Sequence, residues 1–426
     1  MPVFAGWSAD MMSTSDSFSH AKQQLLELPP SVTLVILHPD FHGQHRLFAP
    51  LLSEAAITPV FLAVSEPGLT LQDLLVELKE AVEVQLDPSV ADLPTDPIRA
   101  ASALAKSLNK TPDTTLILDA YDRLDQEEVT PFIVALTRQL TNGCRLVLST
   151  RVLPMPLIEH EDLAGKTGLV PVNPDKMILD YTNSLGKDVL EVRALGPGRV
   201  LINGRLVEHW DGVLPRMLFF YFVDRGMTTR DEIFHTFWPN LSTREATNVF
   251  HVTKRKISEI LGTDLTVYWS GFYRISPDLE LHYDVVKFAE AVQNAAVAQD
   301  DEAIALLQNA ITLYNGPFLS MMDQPWVSQR REELASSYAE ALAGLARIYK
   351  IHNAPLDALG YFLRAAATSP QREDLARSIM ELYYNLGRPA DALDTYQRLE
   401  SELKSSLGVT PGPQTVELAK QIRTAL

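Results

Sequence analysis

The stretch Ser242–Gly262, STREATNVFHVTKRKISEILG, constrains the fold of this chain more than any other. Ala246, Val249, Phe250, Thr253, Ile257, Ile260 and Leu261 recur at three- and four-residue spacing, the period of a helix with one buried stripe. Arg244, Thr247, Asn248, His251, Lys254, Arg255 and Ser258 fall on the opposite side. Ser242 or Thr243 stands where a cap belongs, with Glu245 in the first turn. Just beyond, Leu265–Tyr268 and Phe272–Ile275 flank Trp269-Ser270-Gly271, a hairpin pattern. A helix with a basic, amide-bearing face followed by a hairpin predicts a winged helix, whose exposed helix fits the major groove of DNA.

The residues upstream agree. Val213–Val223 (VLPRMLFFYFV) is apolar throughout, with Pro215 near its start, and predicts a buried helix. Thr229–Trp238 carries Thr229 as N-cap and Glu232 three residues on, a capping box, and Pro239 stops it. Leu190–Ala194, Arg199–Ile202 and Leu206–Glu208, turning at Asn203-Gly204, read as a small antiparallel sheet.

At 426 residues the chain is too long for one core and predicts two to four domains. Its net charge of −17 argues against a general nucleic-acid coat, because counterion release needs a basic surface. From Asp188 to Glu280, however, 11 Lys and Arg nearly balance 12 Asp and Glu, so the acidity lies mostly elsewhere. The single Cys144 excludes an intramolecular disulfide and a Cys-rich zinc module and fits a reducing cytosol. No basic segment followed by an apolar one opens the chain, and no run of about 18 apolar residues occurs. A cytoplasmic protein with no membrane span is expected.

Residues 1–20 are polar and Ser-rich and read as a disordered tail. Over 21–180, strand candidates (Val32–Leu37, Val60–Val64, Thr115–Leu118, Arg145–Ser149) alternate with helix candidates (Leu71–Val84, Ile98–Leu108, Val129–Leu140). Continuous apolar strands alternating with helices predict a parallel sheet covered on both faces. Val32–Leu37 runs into His38-Pro39-Asp40-Phe41-His42-Gly43-Gln44-His45, where a P-loop would follow its first strand. That loop needs Gly-Lys and then Ser or Thr to hold phosphates and magnesium. Here Gln44 and His45 occupy those positions and only Gly43 remains. Asp119 ends an LILD run like a metal-facing strand, but Ala120 follows where an acidic group would activate water. His38, His42 and His45 have no partnering Cys, and no metal is expected.

This stretch, with Ser149-Thr150-Arg151 ending a later strand, resembles the ATPase domain of MalT-like signal-transduction NTPases over roughly residues 30–160. The resemblance implies a degenerate P-loop-like domain without hydrolysis and without a cofactor, serving as scaffold, dimer surface or sensor. Asp180–Lys187 reads as a linker. Elsewhere no Gly-x-Ser-x-Gly or His-Glu-x-x-His appears, and Asp119 and Asp122 are too few to nominate a catalytic pair. An enzyme is not expected.

From Tyr283 onward the pattern is helical: Val285–Gln299, Glu302–Leu313, Val327–His352, Leu356–Thr368, Glu373–Leu386, Ala390–Leu407 and one after Pro413. Pro355-Leu356-Asp357-Ala358-Leu359 and Pro389-Ala390-Asp391-Ala392-Leu393 are offset by 34 residues, the period of tetratricopeptide repeats. Ala358 and Ala392 allow close helix packing, with Phe362 and Tyr396 in the next layer. An α-solenoid of this kind presents a concave face to partners.

LEVRALGPGRVLINGR, RDEIFHTFWPN, Ala246–Val252 and Gly271–Ile275, in that order, resemble the OmpR-type winged helix of SARP-class bacterial transcriptional activators. Leu313–Leu319, Trp326, Ser369–Glu373, Asn385–Arg388 and Leu407–Pro411 are similar to the activation domain that follows it in that class. The family places Arg near Lys256, Ser258 and Glu259; only Lys256 keeps the charge here. Lys254 and Arg255 stand one turn earlier, which moves the expected reading end to Lys254–Lys256. The fold expected is multidomain α/β plus α: a P-loop-like domain over 21–180, a winged helix-turn-helix over 188–281 and a tetratricopeptide-like array over 282–426.

The resemblance implies a regulator that binds promoter repeats in double-stranded DNA, as a dimer, and contacts RNA polymerase. The DNA-binding candidates are Arg244, Thr247, Asn248, His251, Lys254, Arg255, Lys256, Ser258 and the wing residue Arg274. Asn pairs bidentately with adenine and Arg with guanine. For Asn248 the alternative is a role near the helix cap, and for Arg274 it is packing on Trp269. Two other functions stay open: a protein-interaction scaffold without DNA binding, and an ATP-gated switch.

Overall fold

The computed structural model describes residues 21–39, 57–86, 90, 92–183 and 187–424. The tail 1–20, His42, Gly43, Gln44 and His45 of the P-loop-like segment, and part of the expected linker lie outside them. Two compact units divide the chain: residues 1–174 with 178–189 and 202–206, and residues 190–201 and 207–426 with 175–177.

The first unit is built on five parallel strands: β1 (Leu34–Leu37), β2 (Thr58–Ala63), β3 (Thr114–Asp119), β4 (Arg145–Leu148) and β5 (Thr167–Val170). Their order is β2-β3-β4-β1-β5, with Leu34 opposite both Leu146 and Thr167. Helices α1 (Leu71–Gln85), α2 (Pro97–Leu108) and α3 (Gln126–Gln139) supply Leu74, Leu78, Leu104 and Phe132 to one core with Leu34 and Leu116. Val35, Leu37, Ile117 and Val147 point the other way and pack with Ala21 and Leu25. Neighbouring strand residues thus enter different cores, which is why these strands read as unbroken apolar runs.

Strands β6 (Asp188–Arg193), β7 (Arg199–Ile202), β8 (Arg205–Leu206) and β12 (Leu279–Tyr283) form a second sheet of order β12-β6-β7-β8. Asn203 and Gly204 turn between β7 and β8 at φ 49° and 72°, the left-handed pair a tight hairpin turn requires. Helix α4 (Val213–Arg225) is buried on nearly every side after its first turn, as its continuous apolar sequence demands.

Helix α5 (Arg230–Phe237) and helix α6 (Thr243–Leu261) follow, each with a capping box at its N-terminus. Strands β9 (Met227–Thr229), β10 (Thr266–Trp269) and β11 (Phe272–Ile275) make a three-stranded antiparallel sheet of order β10-β11-β9. β9 was not legible in the sequence, because three residues carry no period.

Seven helices complete the second unit: α7 (Asp284–Ala295), α8 (Asp300–Leu313), α9 (Pro325–Ile351), α10 (Pro355–Thr368), α11 (Glu373–Asn385), α12 (Pro389–Ser406) and α13 (Pro413–Thr424). α10 and α12 begin on the repeated prolines, and Ala358 and Ala392 are fully buried between helices. No helix of the described residues is long and apolar enough to cross a membrane.

Candidate nucleic-acid interface

Phe250 anchors α6. It is 1% exposed, and its ring meets Tyr273 of β11 at 5.0 Å, Phe234 of α5 at 5.9 Å, Phe222 of α4 at 6.4 Å and Trp238 at 6.5 Å. Ala246, Thr253, Ile257 and Leu261 continue the buried stripe, while Val249 and Ile260 lie at its half-buried margins. The helix starts where Ser242 accepts the N–H of Glu245 and Glu245 in turn accepts the N–H and hydroxyl of Ser242. Those bonds hold the Glu245 carboxyl below its usual range. It ends at Gly262, whose φ of 81° is the left-handed C-terminal stop.

At about 100° per residue, Arg244, Thr247, Asn248, His251, Lys254, Arg255 and Ser258 fall within an arc of about 120° opposite that stripe. Their commitments differ. Arg244 and Asn248 are exposed and, among the described residues, make no side-chain hydrogen bond or ion pair. His251 is exposed beside the edge of Phe250. Thr247 donates back to the Thr243 carbonyl at 2.6 Å.

The C-terminal half of the arc is engaged. Lys254 Nζ lies 5.7 Å over the Tyr273 ring, and Arg255 pairs with Glu259 at 2.8 Å. Ser258 donates to Asp264 at 2.6 Å. Lys256 lies outside the arc, about 100° from Arg255, and pairs with Asp211 at 2.7 Å. The expected reading end at Lys254–Lys256 is therefore the engaged end, and the uncommitted donors stand in the first turns. Asn248 serves no cap.

The wing turns at Ser270-Gly271, both with positive φ, 51° and 92°. This is the two-residue turn that matches strand twist, and the second position suits Gly because it has no Cβ. Trp269 faces Phe272 across the turn, and Arg274 lies 5.1 Å over the Trp269 ring. Arg274 thus packs on Trp269 while staying exposed. Tyr268 and Trp269 are more than half exposed at the tip.

A buried polar network joins this assembly to the helices that follow. The Tyr283 hydroxyl donates to Asp224 at 2.9 Å, and Arg330 of α9 reaches the same carboxylate at 3.3 Å. Asp284 accepts the N–H groups of Ala194 and Leu195, each at 2.8 Å. Leu319 and Ser320 donate their N–H groups to the carbonyls of Ala194 and Gly196. Gly198 has φ +83°, and a Cβ there would lie 2.9 Å from Leu319 and 3.0 Å from Phe220. The sequence named the runs around Ala194–Gly198 and Leu313–Leu319 but not their pairing, since each contact joins residues far apart in the chain.

The P-loop-like features of the first unit are sparse in the described residues. His38 is buried. Asp122 is occupied by Arg151, at 2.6 Å; burial opposes ionisation, but the Arg151 donors hold its carboxyl below the usual range. Among the described residues no three of His, Cys, Asp and Glu converge as metal ligands.

Residues 283–423 match the bacterial transcriptional activator domain. The chain is 28% identical over 247 residues to the regulatory protein AfsR of Streptomyces griseus, covering 56% of this chain and 25% of that protein. It is 27% identical over 199 residues to the transcriptional regulatory protein EmbR of Mycobacterium tuberculosis, covering 43% and 50%. It therefore aligns with about a quarter to a half of the length of these relatives. The solved structure of Mycobacterium tuberculosis EmbR with a low-affinity phosphopeptide overlaps 56% of this chain and 66% of that one, at TM-score 0.47 and 21% identity. The stretch that matches the activator domain thus follows the three helices and wing described above, and the chain is similar, over part of its length, to these two regulatory proteins.

Proposed function

We propose that the chain is a sequence-specific DNA-binding transcriptional activator. The observation that carries this reading is the pair of exposed, uncommitted donors Arg244 and Asn248 on the polar arc of α6, a helix fixed by its aromatic anchor and flanked by a hairpin wing with a two-residue turn. A helix about 10–12 Å across enters a major groove of about 12 Å. Arg244, Asn248 and His251 would then meet base edges or phosphates, with Arg274 on the wing beside the backbone. α7–α13, read as a tetratricopeptide-like array, would present a face to RNA polymerase, and two copies would occupy paired repeats. The parallel sheet of the first unit is read as a P-loop-like scaffold or sensor without hydrolysis.

A second reading is favoured by one observation: Lys254, Arg255 and Lys256 all have partners within the protein. In that reading the chain is an interaction scaffold without DNA binding. Gel shifts with selected genomic fragments separate the two. Arg244→Ala/Asn248→Ala should weaken binding at least tenfold, the loss expected for two base contacts of about 1–3 kcal/mol each, with an unchanged circular dichroism spectrum. Equal binding by wild type and variant would remove α6 as the reader. No binding by the wild type at any salt would favour the scaffold.

A further inference from the structure

Three cations follow one another on α6, and their partners differ in kind. Arg255 lies against the Glu259 carboxylate at 2.8 Å, and Lys256 against that of Asp211 at 2.7 Å. Each of those pairs sums to no net charge, so a phosphate has to displace a carboxylate to reach the cation. Lys254 pairs with no carboxylate among the described residues; its Nζ stands 5.7 Å from the centre of the Tyr273 ring. An aromatic face attracts an ammonium through its quadrupole but carries no charge that would cancel it. The ammonium has three N–H donors, and those turned away from the ring stay open to an oxygen acceptor.

Tyr273 makes a fixed platform for that ammonium. It lies on β11, the central strand of the wing sheet, opposite Tyr268 of β10 on one side and Thr228 of β9 on the other. Its ring is buried and meets Phe250 at 5.0 Å, Tyr268 at 5.0 Å and Phe222 at 6.2 Å. A lysine side chain free in water loses rotamer entropy when a ligand fixes it, and contact with the ring removes part of that cost beforehand.

The position of Lys254 on α6 suits one component of a duplex. At about 100° per residue it falls at a margin of the polar arc, the margin on which the wing packs. It also stands about 9 Å further along the axis than Asn248, at 1.5 Å per residue. A helix that enters the major groove by its first turns brings those residues to base edges. A cation further along, at the margin, meets the phosphate wall, where contacts grip without reading sequence.

We infer that Tyr273 is a positioning residue, which holds the Lys254 ammonium as the contact to the DNA phosphate strand that passes between α6 and the wing. Arg255 and Lys256, each spent on a carboxylate, do not share that task. The inference rests on the reading of α6 as the helix that enters DNA.

Fluorescence anisotropy tests it with two duplexes of equal length, one a selected genomic fragment and one of unrelated sequence. Lys254→Gln should weaken binding to both and lower the slope of log affinity against log salt by about 0.9, the counterion of one phosphate. Between about 50 and 200 mM salt that is a roughly 3.5-fold smaller loss of affinity than in the wild type. Tyr273→Phe keeps the ring and should keep the wild-type slope. Tyr273→Leu should lose the same increment as Lys254→Gln, and the two changes together no more than either alone. Lys256→Gln should leave the slope as in the wild type.

An unchanged slope in Lys254→Gln overturns the phosphate contact. A wild-type slope in Tyr273→Leu with a native circular dichroism spectrum, or a lowered slope in Tyr273→Phe, overturns the role of the ring; the second result decides even where the leucine variant does not fold. An equal fall in Lys256→Gln overturns the distinction between the cations. No binding of either duplex by the wild type removes the DNA reading and this inference together, whereas binding with an unchanged slope in Lys254→Gln removes this inference alone.

Discussion

Phe250 shows how one side chain can fix a surface it does not belong to. Four aromatic rings from α4, α5, the turn after α5 and β11 surround it, and their contacts set which way the polar arc of α6 faces. Phe250→Ala should cost about 3–5 kcal/mol, the loss typical of a large buried ring leaving a cavity. Urea unfolding checks this, and a loss below about 1 kcal/mol would mean that the stripe is not the anchor. The stripe was readable because burial repeats with the helical period. The partners of Lys254 and Lys256 were not, because Tyr273 and Asp211 reach them from other elements. Arg255 is the exception: its partner Glu259 lies one turn on along the same helix, and the sequence showed the pair without showing that it forms.

Helix ends were the most legible elements. Thr229 with Glu232 and Ser242 with Glu245 form the reciprocal capping bonds their spacing implies. Ser242→Ala should cost about 1 kcal/mol, because an N-terminal donor loses its acceptor. Fraying would reach the first turns, where Arg244 and Asn248 stand. Hydrogen exchange over 243–247 should therefore quicken while that over 253–261 does not; uniform protection throughout would show that tertiary contacts alone hold the helix start. Strands were less legible. β5, β9 and β12 escaped sequence reading because three to five residues rarely show a period, and their pairing partners decide them. The hairpin was legible because its turn demanded particular residues.

At the scale of the whole molecule, the segments read as winged helix and helical array fall largely in one compact unit. Asp284 is one of the joints. Burial pushes its carboxyl up to about 7, against the pull of the N–H donors from Ala194, Leu195 and Val285. Between the ordinary carboxylate value of 3.8 and about 7, the folded chain keeps a proton that the unfolded chain has released. Asp284 therefore contributes stability below that window and loses it as pH rises through the window, at no more than about 1.4 kcal/mol per pH unit. Asp284→Asn cannot titrate. Urea unfolding from pH 4 to 8 should show the difference between wild type and variant shifting across this window, and parallel curves would refute the assignment.

By itself the sequence determined what depends on neighbours along the chain: helix periods, capping boxes, left-handed turns, buried parallel strands and the 34-residue recurrence of the later helices. Those features follow from backbone geometry and local burial, so their signals survive in one dimension. Only the tertiary structure decided which donors of α6 stay free, that Lys256 is held by Asp211, and that Lys254 rests on the Tyr273 ring. Each of these is a meeting of side chains from separate elements. Their proximity is set by packing around Phe250 and by the Asp224–Tyr283–Arg330 and Asp284 joints, which leave no periodic trace in the sequence.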